Sequence, residues 1–199
     1  MTQETHYRKE TASQTAGPYV HIGLAPVAAG FDIYRTELGH DLTGANAKGQ
    51  RIKISGTVTD GTGARIKDVL IEVWQANADG VYPATGTVED GFRGWARVVP
   101  DFETGQWSFE TVKPGATKGR DGRVMAPHIN MWLVARGINI GLNTRLYFED
   151  EDAANATDPV LSLIEQPHRR QTLIARKDGD TYQFNICLQG DNETVFLDV

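Results

Sequence analysis

The chain has 199 residues and, with 20 Lys and Arg against 26 Asp and Glu, a formal net charge of -6 at pH 7. This length suffices for one sizeable hydrophobic core, so we expect a single domain over residues 1–199. The acidic balance argues against a nucleic-acid-binding protein, because phosphate binding requires clustered Lys and Arg, and no apolar run approaches the roughly 20 residues of a membrane-spanning helix.

The chain is predicted to begin with an N-terminal arm at about residues 1–22. Residues 1–12 show no apolar periodicity from which a packed face could form, and they lack the apolar core of a signal peptide. Gly17-Pro18 then makes a rigid corner just before Tyr19, although such a pair alone is most often only a turn. His21 has no partner histidine at a ligand spacing, so we expect it to pack or hydrogen-bond.

Short strands separated by turns are predicted for most of the remaining chain. Residues 23–49 indicate a long surface connection with a short ordered piece at 31–34. A strand beginning at Arg51, a turn at residues 60–63 and an apolar run at 69–75 together predict a hairpin-like pair. Further strands are predicted at residues 95–99, 107–112, 128–135, 144–148, 171–176, 181–188 and 193–199, the last at a sheet edge.

This rhythm of short strands indicates an all-β fold, a β-sandwich of mainly antiparallel strands with a short helical insertion. The insertion is placed at residues 149–164, where Asp158-Pro159 resembles the N-cap and first-turn proline of a second short helix. The single cysteine, Cys187, cannot form an internal disulfide, which fits a reducing cytoplasm. It is predicted to be a small core residue in a strand.

One strand carries what looks like an incomplete metal site. In residues 128–135 the side chains alternate between faces, so His128 and Asn130 project to one side while Ile129 and Met131 project to the other. Two imidazoles at this spacing would be two ligands on one face, but an amide is a poor ligand for iron. Since the chain's five histidines show no paired ligand spacing, we predict no intrinsic metal site.

Several motifs together give the chain a resemblance to the intradiol aromatic-ring dioxygenases. They follow the family's order over nearly the whole chain, and as a set they are specific although each alone is weak. They lie at residues 14–24, 72–76, 112–115, 126–129, 135–140, 144–148 and 193–196.

The resemblance implies a heteromeric enzyme of alpha and beta subunits. Such an enzyme would cleave protocatechuate with O2 to 3-carboxy-cis,cis-muconate, using a non-haem Fe(III) held by two tyrosines and two histidines of the beta subunit. The positions of this chain that match those ligands are Tyr82, Thr117, His128 and Asn130, and Met125 stands where the catalytic chain has an arginine. With two of four ligands absent, the resemblance implies the alpha subunit, with no catalytic residue of its own and with the iron in its beta partner.

The resemblance also implies that the alpha subunit lines the substrate pocket of its partner. By motif, the residues concerned are Thr15, Gly17, Pro18, Tyr19 and Arg136. An arginine keeps its charge at any working pH and would favour entry of the anionic substrate. Without the resemblance, Arg136 would be interpreted as a solvated or ion-paired surface residue.

Two other functions remain open to a chain of this kind. A prealbumin-like β-sandwich could serve as a binding or assembly module without catalysis, although that leaves the match at the N-terminal turn and at Arg136 unexplained. A self-sufficient catechol dioxygenase is disfavoured by Thr117 and Asn130.

Overall fold

The computed structural model describes residues 14–17, 19–35, 39 and 42–198. Strands are the main regular structure of these residues, which confirms the all-β prediction, while residues 1–13 of the predicted arm and Pro18 lie outside them. The helices are short: α1 (Tyr19–Leu24), α2 (Asp152–Thr157) and α3 (Pro167–Gln171), with 3-10 turns at Glu149–Glu151 and Leu161–Leu163. No helix of the described residues has the length and hydrophobicity to cross a membrane.

Eleven strands are formed by the described residues. They are β1 (Arg51–Thr59), β2 (Leu70–Gln75), β3 (Trp95–Val98), β4 (Gln106–Val112), β5 (Thr117–Lys118), β6 (Val124–Met125), β7 (His128–Val134), β8 (Leu142–Phe148), β9 (Ile174–Asp178), β10 (Thr181–Gln183) and β11 (Ile186–Cys187).

Nine of the strands form one mixed sheet, in the order β11-β1-β10-β9-β8-β7-β2-β3, with β4 paired to β1. Antiparallel pairs prevail, as predicted, although β1 runs parallel to β10 and β11, and β8 runs parallel to β9. The short strands β5 and β6 form a separate antiparallel pair. The inner face of the large sheet carries the main apolar cluster, and two smaller clusters lie beside it.

The core depends on alternation along the strands. Every second residue of β1 is buried, and its Ile54 belongs to the same apolar cluster as Val73 of β2, Ile129 of β7 and Leu146 of β8. Full burial of each such side chain stabilises the fold by roughly 1.5–3 kcal/mol. These inward residues therefore fix which side chains of the same strands face outward.

The predicted hairpin between residues 51–58 and 69–75 is wrong. The turn forms as expected, with the Asp60 carboxylate accepting hydrogen bonds from the backbone N–H groups of Thr62 and Ala64. After the turn, the chain forms one antiparallel bridge, between Thr59 and Arg65, and then leaves β1. Because β4, β10 and β11 occupy the edges of β1, β2 pairs with β3 and β7 instead.

The predicted strand at residues 193–199 does not form in the described part, which ends at residue 198. Its groups bond to different elements: Leu197 N–H donates to Asn143, Val195 N–H donates to the Thr172 hydroxyl, and the Thr194 hydroxyl accepts from Cys187 N–H. Only one bridge, Asn143 to Leu197, is of the strand type. Partners scattered in this way cannot build a ladder.

Four smaller predictions concern the helical insertion, residues 31–34, residues 171–176 and Cys187. The helical insertion is confirmed, and Asp158 caps its second turn by accepting from the N–H groups of Val160 and Leu161. Residues 31–34 are exposed and have no regular secondary structure, and the first residues of the strand predicted at 171–176 belong to α3 and a turn. Cys187 lies in a strand but is only half-buried.

We expect Gly56→Ala to destabilise the fold. A Cβ atom at Gly56 in β1 would collide with the carbonyl oxygen of Phe184 and with the Trp107 ring, and overpacking of this kind costs about 1–3 kcal/mol. Urea unfolding measures the loss. Gly23→Ala in α1 is the matched control, because no atom lies within 4 Å of its added methyl group. A Gly56→Ala protein as stable as the control would contradict the close approach.

Candidate functional site

Strand β7 presents His128 and Asn130 on its outer face, as predicted. Ile129 and Met131, which alternate with them, are buried in the core. His128 is itself buried, because the 126–128 backbone and neighbouring aromatic rings cover it, including Tyr147 at 5.7 Å between ring centres. The outer face of β7 is thus a partly enclosed polar surface.

Tyr82 reaches this surface through the turn that follows β2. The Asn77 side chain accepts hydrogen bonds from the N–H groups of Asp79 and Val81, and Gly80 has φ of 78°, which favours glycine. The Tyr82 ring then stacks on Trp74 at 5.7 Å. This places the Tyr82 hydroxyl 3.3 Å from His128 Nε2.

The protonation of His128 follows from its partners. Its Nδ1 lies 2.7 Å from the Ala126 carbonyl oxygen, which can only accept, so the proton is on Nδ1 and Nε2 accepts from Tyr82. Burial and, to a smaller extent, the positive charge of Arg145 lower the pKa of His128 to about 4. Burial also raises the pKa of Tyr82. Both groups are therefore neutral at pH 7.

Asn130 is held by the strand next to it. In the β7–β8 register Asn130 lies opposite Arg145, whose Nε donates to Asn130 Oδ1 at 3.0 Å. The amide nitrogen of Asn130 donates to the Tyr82 hydroxyl at 3.0 Å and to the Trp74 carbonyl oxygen at 3.2 Å. Every polar atom of this amide has a protein partner.

The hydrogen bonds continue from Arg145 to the helical insertion. The guanidinium contacts the Met125 sulfur at 3.4 Å and the Tyr147 hydroxyl at 3.5 Å, and that hydroxyl donates to Asp158 at 3.1 Å. Asp158 is fully buried and also accepts from the N–H of Ala126. A buried carboxylate with this many donors is satisfied without a direct cationic partner.

Thr117 completes the set of positions that the family resemblance singled out. It lies in β5, paired with Met125 of β6, and its buried hydroxyl has no hydrogen-bond partner. We call Tyr82, Thr117, His128 and Asn130 together the remnant site.

The remnant site does not fit a ferric ion. Only Tyr82 and His128 are side chains that bind iron well, since a threonine hydroxyl and a neutral amide are poor ligands. The amide nitrogen of Asn130, which has no lone pair to donate, faces the Tyr82 hydroxyl. Among the described residues no group of three or more His, Cys, Asp or Glu is arranged to hold a metal ion.

A second cluster brings Thr15 and the Arg136 loop together. The Thr15 hydroxyl donates to the Ala135 carbonyl at 3.2 Å and accepts from the Gly137 N–H at 2.7 Å. The Thr15 hydroxyl thus binds the backbone on both sides of Arg136, although Thr15 and Arg136 are 121 positions apart in the chain. The family resemblance implies that both residues line one pocket, which stays a prediction, and the fold makes the two residues neighbours.

The other residues predicted for the pocket have different environments. Arg136 is exposed, with 67% of its side chain accessible, and its Nε pairs with Asp68. Gly17 accepts the Val20 N–H at the start of α1, and Tyr19 is 79% exposed. Pro18 lies outside the described residues.

The sequence interpretation missed Arg145, Tyr147 and Asp158 as members of the site. The strand containing Arg145 was predicted, but its pairing register with β7, which places Arg145 against Asn130, cannot be read from local patterns. Asp158 was recognised as a helix cap, and its contact with Tyr147 depends on the packing of the insertion against β8.

A cavity of about 210 Å³ adjoins this network on the outer face of the sheet. Three tryptophans from three adjacent strands, Trp74, Trp95 and Trp132, form its apolar walls, with Asn130 and Arg145 between them. It is small for a drug-sized ligand, whose sites span roughly 300–1,000 Å³.

Comparison with known proteins identifies relatives over the whole fold. A family model described as Dioxygenase matches residues 29–190. The chain is 52% identical to the protocatechuate 3,4-dioxygenase alpha chain of Pseudomonas putida, over 95% of this chain and 96% of that one. It is 34% identical to the protocatechuate 3,4-dioxygenase beta chain of Burkholderia cepacia, over 85% and 79%.

A solved structure also shares the fold. Catechol 1,2-dioxygenase from Pseudomonas arvilla C-1 superimposes with a TM-score of 0.56 at 20% identity, over 75% of this chain and 55% of that one. At this identity the likeness concerns the fold alone.

The low pKa of His128 predicts a specific pH dependence of stability. Because its folded pKa of about 4 lies below the usual 6.5, the unfolded chain binds the proton first as pH falls. His128 therefore contributes its full stability above pH 6.5, and about 3 kcal/mol is lost between pH 6.5 and 4.

Urea unfolding at pH 7 and pH 4.5 measures this loss. His128→Gln should be less stable than wild type at pH 7 but should lose less stability on acidification. His168→Gln, at an exposed position in α3, is the control and should keep the wild-type slope. Equal slopes in all three proteins would show that His128 is not buried in its neutral form.

Proposed function

Because the chain belongs to the intradiol ring-cleavage dioxygenase family, we propose that it is the alpha subunit of a heteromeric protocatechuate 3,4-dioxygenase. The observation that carries the proposal is the 52% identity to such an alpha chain over nearly the full length of both proteins. The reaction adds both atoms of O2 to protocatechuate and breaks the ring bond between the two hydroxylated carbons, giving 3-carboxy-cis,cis-muconate. The chain has a single cysteine, which can form no internal disulfide. This supports a cytoplasmic location.

The iron of the enzyme belongs to the beta subunit in this proposal. The remnant site supports this assignment, since its Thr117 hydroxyl and Asn130 amide replace two ferric ligands. The similarity of the chain to a beta chain, at 34% identity, supports a complex of two related subunits that differ in metal binding. Ring cleavage is accordingly assigned to the partner, and this chain is active only in the complex.

The Thr15–Arg136 cluster is the contribution of this chain to the substrate pocket. Thr15 holds the loop through backbone contacts on both sides of Arg136, so the guanidinium projects from a fixed base. Its exposed N–H groups can attract and bind the carboxylate of protocatechuate, since Arg suits planar two-point contact with a carboxylate. Gly17, Pro18 and Tyr19, next to Thr15 in the chain, would line the same rim.

Iron content tests the subunit assignment. This chain purified alone should contain little iron and should not cleave protocatechuate. Co-expressed with its beta partner, it should be recovered with about one iron per alpha-beta pair and should consume O2 with protocatechuate. Stoichiometric iron and turnover in the chain alone would overturn the assignment.

Substrate affinity tests the role of Arg136. In the complex, Arg136→Ala should raise the KM for protocatechuate about tenfold, because a cation that attracts the anion is lost, with a smaller change in kcat. Turnover of catechol, which has no carboxylate, should change little.

Arg176→Ala is the matched control for Arg136→Ala. It removes an exposed positive charge from β9, away from Thr15, and should leave both substrates unaffected. An unchanged KM for protocatechuate in Arg136→Ala would remove Arg136 from the pocket while leaving the subunit assignment intact.

A further inference from the structure

Two members of the remnant site keep the arrangement of metal ligands. Tyr82 oxygen and His128 Nε2 are 3.3 Å apart, a separation that fits two ligands about 2.0–2.1 Å from one ion at a near-tetrahedral angle. His128 donates its other ring N–H to the Ala126 carbonyl, which is the usual support of a metal-binding histidine. The placement of these two side chains is therefore not itself an obstacle to metal binding.

The orientation of the Asn130 amide is set by its neighbours. Arg145 Nε can only donate, so the atom it contacts at 3.0 Å must be the amide oxygen. The Trp74 carbonyl oxygen can only accept, so the atom it contacts must be the amide nitrogen. The two contacts agree, and together they direct the non-ligating nitrogen towards the Tyr82 hydroxyl.

Arg145 also places a positive charge beside the remnant site. Among the described residues, its guanidinium donates hydrogen bonds to neutral groups: the Asn130 oxygen, the Met125 sulfur and the Tyr147 hydroxyl. No carboxylate of the described residues lies within ion-pair distance of it, and the nearest part of the network that carries a negative charge, Asp158, is reached only through Tyr147. The charge is thus not cancelled by a direct ion pair.

From these contacts we propose that Arg145 excludes metal ions from the remnant site. It does so in two ways: its charge repels a cation close to Tyr82 and His128, and its hydrogen bond turns the oxygen of Asn130 away from them. The guanidinium of Arg145, which is held on β8, thus supplies the positive charge of this polar network. The inference rests on the proposed function only for the identification of the four positions that match ferric ligands.

A simpler account is that the two replaced ligands alone would suffice to prevent tight metal binding. The two accounts differ for a chain in which a third ligand is provided. Asn130→His would add an imidazole on the same face of β7 as His128, next to Tyr82. If Arg145 excludes metal ions, this third ligand should raise the metal affinity only when the arginine is removed as well.

The test is equilibrium dialysis against cobalt(II), with bound metal measured by mass spectrometry. The full chain is used with its co-purified beta partner, or alone where no partner co-purifies, and cobalt per chain is counted separately from iron. We expect wild type, Arg145→Gln and Asn130→His to bind cobalt weakly. The double variant Asn130→His/Arg145→Gln should bind it at least tenfold more tightly than Asn130→His.

Two further variants in the Asn130→His background separate charge from general disruption. Arg145→Lys retains the charge and should restore weak binding. Arg123→Gln removes an exposed arginine that pairs with Asp121, near β6 but outside the network, and should leave cobalt binding unchanged. Arg145→Met replaces Arg145→Gln if the latter does not fold, as judged by circular dichroism.

Equal cobalt affinity with and without Arg145 would overturn the proposal, as would tight binding by the Arg145→Lys variant. Neither result depends on ring cleavage. A failure of the subunit assignment would appear instead as iron and turnover in the unaltered chain, so the two failures are distinguishable.

Discussion

The alternation of side chains along β7 is the constraint on which both the core and the site depend. Ile129, Met131 and Leu133 are buried in the main core, and this fixes His128 and Asn130 on the opposite face. Because β7 is paired on both edges, with β2 and β8, a slip by one residue would expose the core residues and bury the polar ones. The geometry of the remnant site is thus maintained by hydrophobic burial on the other side of the sheet.

Hydrogen bonds within the network limit the free-energy cost of burying its polar groups. Buried polar atoms without partners cost about 1–3 kcal/mol each, and in the remnant site the Thr117 hydroxyl is such an atom. The other groups donate and accept in sequence from Tyr82 through Asn130 and Arg145 to Asp158. Asp158 in turn caps the insertion, so the network also connects the sheet to the helical segment that covers it.

What sequence reasoning recovered were features that depend on local pattern. Strand positions, the turn at Asp60 and the cap at Asp158 follow from alternation and from short-range hydrogen bonds. The predicted hairpin between β1 and β2 was wrong. Both strands bury one apolar face, and that pattern does not determine which strands pair with each other. The role of Arg145 was invisible for the same reason, since it arises from a register between β7 and β8. Motif resemblance could link Thr15 to Arg136 only because it uses information about related chains.

The two polar regions of this chain are held by different kinds of contact. The remnant site is held mainly through side chains, so replacing one of them changes the partners of the next. The Arg136 loop is held by the Thr15 hydroxyl through the backbone groups of Ala135 and Gly137, and none of these atoms belongs to the network around Arg145. A substitution at Asn130 or Thr117 therefore leaves the base of Arg136 undisturbed. The two regions can therefore change independently of each other within one fold, because among the described residues they share no hydrogen bond.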